Sequence, residues 1–139
     1  MKPPITGTVA VTIGRNVGRS PLSAKRWKAF RDEVTEAVQT FVSGMDGAFV
    51  TVDGNVGKGF WVDDDGERVD EDNAVWLVQY QKLFPAELDE AEVEVIARRQ
   101  HATWMLLLDD VAHAAWRFDQ QAFAVTNLGS ALLDLEERG

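Results

Sequence analysis

Residues 8–41 read TVAVTIGRNVGRSPLSAKRWKAFRDEVTEAVQTF. Val9, Val11 and Ile13 alternate with small or polar residues, so Thr8–Ile13 predicts a strand with one buried face. Gly14–Ser20, with two glycines and an asparagine, ends that pattern and reads as a loop. From there the period changes. Trp27, Phe30, Val34, Ala37, Val38 and Phe41 fall on one stripe of a helix. Ser20, ahead of Pro21, or Ser23 can cap its start. Ser43–Gly44 suits its end, with the glycine in a left-handed cap.

Downstream, residues 44–66 hold six glycines. Ala48–Val52 alternates as a strand does. Gly59–Val62 and Glu67–Val69 flank the turn DDDG and read as a β-hairpin. Ala74–Gln81 (AVWLVQYQ) carries the strongest strand signal of the chain. After Pro85, one apolar face runs through Val93, Ile96, Ala97, Gln100, Trp104, Leu107, Leu108, Val111 and Ala115. That pattern admits one long helix over 88–117 or two with a bend near 101–103. Gln121–Thr126 alternates again as a last strand, and Leu128–Arg138 suits a short terminal helix. The order is strand, helix, strands, helix, strand. It predicts a single α+β domain over residues 1–139, ferredoxin-like (split βαβ). The sheet is mostly antiparallel, with two main helices and a hairpin insertion at 59–69.

Charge is distributed unevenly. Residues 1–31 carry +7 with no acid, and residues 32–139 carry −16, for a net charge of −9. The stretch 14–31 alone holds Arg15, Arg19, Lys25, Arg26, Lys28 and Arg31. Lys25 and Arg26 in a first helical turn oppose the helix dipole, at roughly 0.3–1 kcal/mol each when exposed. An acidic ligand at the loop would reverse that cost, because a helix start offers free N–H groups as well. Two readings follow. In one, the Gly14–Ser23 loop holds an anionic small molecule, a nucleotide or phosphate. Arg15 and Arg19 would then pair with phosphate and Asn16 would donate. In the other, the basic segment packs on the acidic remainder of the chain or on a second copy of it. Neither G-x-x-x-x-G-K-[ST] nor G-x-G-x-x-G is present.

The ferredoxin-like plan sharpens the first reading. Its first and last strands are antiparallel neighbours, which would set Arg117, Asp119, Gln120 and Gln121 near Gly14–Arg19. Gln120 and Gln121 would line the far side of the site.

Other patterns are weaker. DDDGERVDED at 63–72 resembles a calcium loop, but Trp61 would stand at the first ligand position, so a solvated hairpin turn is the better reading. His101 and His113 are three turns apart, too far to share an ion on one straight helix. No resident metal or cofactor is expected. The chain has no cysteine, no G-x-S-x-G and no H-E-x-x-H, so a nucleotide-acting enzyme with His101 or His113 as base ranks last. Trp27, Trp76 and Trp104 fall on core patterns, while Trp61 and Trp116 are open to exposure. No apolar h-region and no span of about 20 apolar residues occurs, pointing to a cytoplasmic protein without a membrane anchor. A net charge of −9 argues against duplex DNA as partner. An acidic inhibitor-like protein that meets a basic host protein is the alternative function.

The segments IGRNVGRSPLSAKRWKAF (13–30) and RFDQQAFAVT (117–126) are similar to small proteins of actinobacterial phages and their hosts. The resemblance covers about 28 of 139 residues. It implies a phage or prophage setting, where small proteins bind host factors or sequester nucleotides. It carries no activity and no functional residue with it.

Overall fold

The computed structural model describes residues 2–84, 89–120 and 123–127. Strand β1 (Lys2–Gly14) runs into a two-rung hairpin, β2 (Asn16–Val17) and β3 (Ser20–Pro21). Helix α1 spans Ala24–Gly44, β4 Phe49–Val62, β5 Arg68–Phe84, helix α2 Glu90–Arg117 and β6 Phe123–Asn127. The main sheet is ordered β4-β5-β1-β6, with every pair antiparallel. That order, with two helices between the strands, is the split βαβ plan of a ferredoxin-like domain.

The α1 stripe is buried in full: Trp27, Phe30, Val34, Ala37, Val38 and Phe41 all face the core. Ser23 caps the helix, its Oγ accepting from Arg26 N at 3.2 Å. The helix ends at Gly44, but with Met45 in an extended conformation rather than a left-handed glycine. The positive φ falls on Gly47, in the turn that follows. Residues 90–117 form one helix without a break, capped by Asp89, which accepts from Glu92 N at 2.8 Å. The final strand begins at Phe123. Gln121 and the segment 128–138 lie outside the described residues.

Burial follows from register. Val9 pairs with Val78, Val11 with Trp76 and Ile13 with Ala74, so six apolar side chains share one sheet face beneath the helices. Trp76 is fully buried, and its Nε1 donates to Thr35 Oγ1 at 3.1 Å, joining sheet to α1. Trp27 is buried and Trp104 packs against the core, while Trp61 and Trp116 are exposed.

The hairpin expected at 59–69 is the outer end of one long ribbon. β4 and β5 stay paired from Phe49↔Gln79 to Val62↔Arg68, with bulges near Val50 and Asp53. Gly54 sits at the second bulge with φ +72°, and a Cβ there would meet the Trp76 ring at 3.0 Å. The ribbon outruns the helical layer, so Val56, Phe60 and Val62 stay exposed.

Candidate functional site

The basic loop is only partly turned inward: Asn16 and Leu22 are buried and Arg15 half-buried, while Gly18, Arg19 and Pro21 are exposed. Its backbone folds onto β5, with Arg15 N donating to Asp72 O and Leu22 N to Arg15 O, both at 2.9 Å. The Arg15 guanidinium closes the same loop, Nε donating to Leu22 O at 2.8 Å and Nη1 to Asp72 Oδ2 at 3.2 Å. Asn16 is buried and donates to Asp70 O at 3.2 Å. Gly18, with φ +60°, turns the β2–β3 hairpin and points Arg19 at the DDDG turn, where it pairs with Asp63 and, at 3.7 Å, with Glu67. Asp63 in turn organises its own loop, Oδ1 accepting from Asp65 N at 3.0 Å and Glu67 N at 2.9 Å. The resemblance to a calcium loop is thus resolved as a hydrogen-bonded turn. Among the described residues no three His, Cys, Asp or Glu side chains are placed to hold a metal.

Three more of the N-terminal cations are partnered. Arg26 reaches Asp119 at 3.8 Å and lies 5.5 Å from the Phe118 ring centroid. Lys28 pairs with Asp32 at 2.7 Å, and Arg31 lies over Trp27 at 5.4 Å. The split of charge along the chain is in part internal complementarity: Arg15, Arg19 and Arg26 meet acids of β5, of the hairpin turn and of the residue after Phe118.

Between the β2–β3 hairpin and the outer ribbon lies a cleft of about 660 Å³. Arg15, Lys58 and Arg68 give it positive charge, and Asp70 and Asp72 negative charge. Phe60, also on its wall, is exposed, with the Arg68 guanidinium 4.0 Å from its ring centroid. Lys58 and Arg15 both donate to Asp72, at 3.3 and 3.2 Å.

Those two hydrogen bonds, Lys58 first and then Arg15, hold the Asp72 carboxyl below the usual aspartate range. Its folded pKa lies below its unfolded one, so the contribution to stability is present above about pH 4 and is lost as pH falls through the folded value. Asp72→Asn should therefore flatten the acid limb of a stability-versus-pH curve measured by urea melts. An unchanged acid limb would rule out the linkage. The group is partly solvated, so the effect should be a modest share of the total.

The predicted site residues are divided by the structure. Arg15 and Asn16 line this cleft, Arg19 latches its rim, and Gln120 lines neither this cleft nor the one described next. Gln120 N donates to Ala115 O at 2.8 Å, and its Nε2 is buried with no hydrogen-bond partner among the described residues. β6 does pair beside the end of β1, Ile13 opposite Phe123. Yet Arg117 turns to Glu33 at 2.9 Å and Asp119 to Arg26, so neither joins the loop. Lys58, Phe60, Arg68 and Glu71 escaped the sequence reading. The hairpin reading paired the segments that hold Phe60 and Arg68, but the polar run 70–73 and the glycines 57 and 59 suppress the strand signal that would have extended it to Lys58 and Glu71.

A second cleft of about 310 Å³ involves the same ribbon together with the ends of β1 and β6. His113 instead lines a groove between α1 and α2 with Glu33, Asp110 and Arg117. Neither histidine borders either ribbon cleft.

No protein-family model matches this chain. No curated protein matches it. Among solved structures, it is similar to a phage SAM lyase in complex with S-methyl-5'-thioadenosine, at 16% identity and a TM-score of 0.41. The likeness covers 89% of this chain and 81% of that one. No helix among the described residues is long and apolar enough to cross a membrane.

Proposed function

We propose that this protein binds a small phosphate-bearing molecule of nucleotide type in the cleft between the β2–β3 hairpin and the outer ribbon. One observation carries the reading: three cations, the carboxylates of Asp70 and Asp72 and an exposed aromatic ring border a single cleft of about 660 Å³. A nucleotide presents the complementary set. Its phosphate takes charge-assisted hydrogen bonds from cations, its sugar hydroxyls donate to carboxylates, and its base stacks on a ring. Lys58 is the phosphate contact of choice. Its side chain is 91% exposed and tethered only to Asp72 at 3.3 Å. Arg68 supports it from across the ribbon. Arg15 organises the loop through Leu22 and Asp72, so it acts as a positioning residue rather than the primary anion contact.

Titration calorimetry at low salt, with nucleoside mono- and diphosphates, the parent nucleosides and inorganic phosphate, tests this. Phosphorylated forms should bind more tightly than the nucleosides. Lys58→Ala should weaken them by about tenfold while leaving the Arg15–Asp72 pair and the melting temperature in place. Binding that ignores the phosphate, or that survives Lys58→Ala unchanged, would sink the reading. A second reading rests on β4, an edge strand that holds six of the twelve exposed large apolar side chains among the described residues. Such an edge can pair with a partner protein, and it becomes the preferred site if no nucleotide binds.

A further inference from the structure

The second cleft lies on the other side of the ribbon from the first. On β5, Asp70 and Asp72 alternate with Glu71 and Asn73, so the register sends the two pairs to opposite faces. Asp70 and Asp72 serve the charged cleft. Glu71 and Asn73 fall on the sheet face that carries no helix, with Thr12 and Gly14 of β1. The rings of Trp61 and Phe123 wall this cleft, each at least 38% exposed.

Glu71 is held in place here. Its Oε2 accepts from Trp61 Nε1 at 3.0 Å. A Cβ built on Gly14 would collide with its Oε1, so the carboxylate lies flat on bare glycine backbone. The Asn73 carboxamide lies likewise on Gly59, where a Cβ would stand 2.6 Å from Nδ2. The cations of the ribbon are engaged elsewhere: Lys58 and Arg15 with Asp72, Arg68 with Asp70 at 2.8 Å. Glu71 thus has no cationic partner among the described residues.

An oriented carboxylate without a counter-ion, beside two exposed rings, is complementary to one kind of ligand. We infer that this cleft binds a small organic cation, an alkylated ammonium group, with Glu71 as its counter-ion and the rings of Trp61 and Phe123 beside its methyl groups. Ring quadrupoles attract such a cation, and its weak hydration makes it cheap to desolvate. A hydrated metal ion would find one carboxylate and two rings, too few oxygen ligands. The ribbon already shows the interaction on its other side, where Arg68 lies over Phe60. The net charge of −9 adds a general attraction for cations.

Choline and its neutral carbon isostere 3,3-dimethylbutan-1-ol are the probes. Each is titrated by calorimetry, with the Trp61 indole N–H followed by NMR and assigned through Trp61→Phe. Choline should bind and move the Trp61 signal, and the isostere should bind about tenfold more weakly. Glu71→Gln should remove that difference. Gly14→Ala keeps the charge but displaces the carboxylate, and should weaken choline while leaving the melting temperature nearly unchanged. It decides the matter if Glu71→Gln fails to fold. Equal binding of choline and isostere, full affinity in either variant, or a Trp61 signal indifferent to millimolar choline would each overturn the inference. No phosphate is present in this titration, so its outcome is independent of the nucleotide reading.

Discussion

Trp76→Ala should cost about 3–5 kcal/mol of stability, the range for removing a fully buried large aromatic side chain, and lower the melting temperature by roughly 10–20 °C. Three features of the site keep the resulting cavity from collapsing. The ring is fully buried in the middle of β5, opposite Val11 on one neighbour and Asp53 on the other. Gly54 packs against it with no side chain of its own, fixed at φ +72° by the bulge. Thr35 on α1 is left without its donor, since Trp76 Nε1 supplies the hydrogen bond at 3.1 Å. Thr35→Val isolates that last contribution, with an expected loss of about 1 kcal/mol. Urea melts of the two variants give the comparison. A loss below about 2 kcal/mol in Trp76→Ala would mean that the ribbon closes over the gap.

The contrast between what periodicity showed and what it missed has one physical cause. Burial on a regular element repeats along the chain, so α1 announced its six core residues and β1 its three. Ion pairing has no such period. Arg15 finds Asp72 across 57 residues, and Arg26 finds Asp119 across most of the fold. The sequence therefore displayed the basic segment but not its partners. Strand β4 was obscured in another way. Its glycines look like loop punctuation, yet Gly54 makes room for the Trp76 ring, and Gly57 and Gly59 for the Asn73 carboxamide. The acidic run 70–73 looks like turn, yet it pairs rung by rung with Gly57–Phe60. Both clefts are built where these two strands lost their apolar signature.

Phe30→Ala should cost a further example of the same range, about 3–5 kcal/mol, and its effect should reach the edge of the second cleft. Phe30 is fully buried, stacks on Phe118 with centroids 5.1 Å apart, and meets Trp27 edge-on at 6.2 Å. Phe118 is the residue that closes α2, its N donating to Ala114 O at 3.2 Å. Asp119, with φ +59°, then turns the chain toward β6. The Phe30–Phe118 stack thus fixes the exit of α2, and with it the place where Phe123 enters the sheet opposite Ile13. Phe118→Ala alone should cost less, about 2–3 kcal/mol, because Arg26 and residual solvent border that ring. A double-mutant cycle in urea separates the stack from simple loss of apolar volume. The stack predicts a coupling of about 0.5–1.5 kcal/mol between the two rings. Strict additivity would show that each ring acts only through its own burial. In that event the exit of α2 is held by Arg26, whose guanidinium donates to Arg117 O at 3.5 Å and faces Asp119, rather than by the aromatic pair.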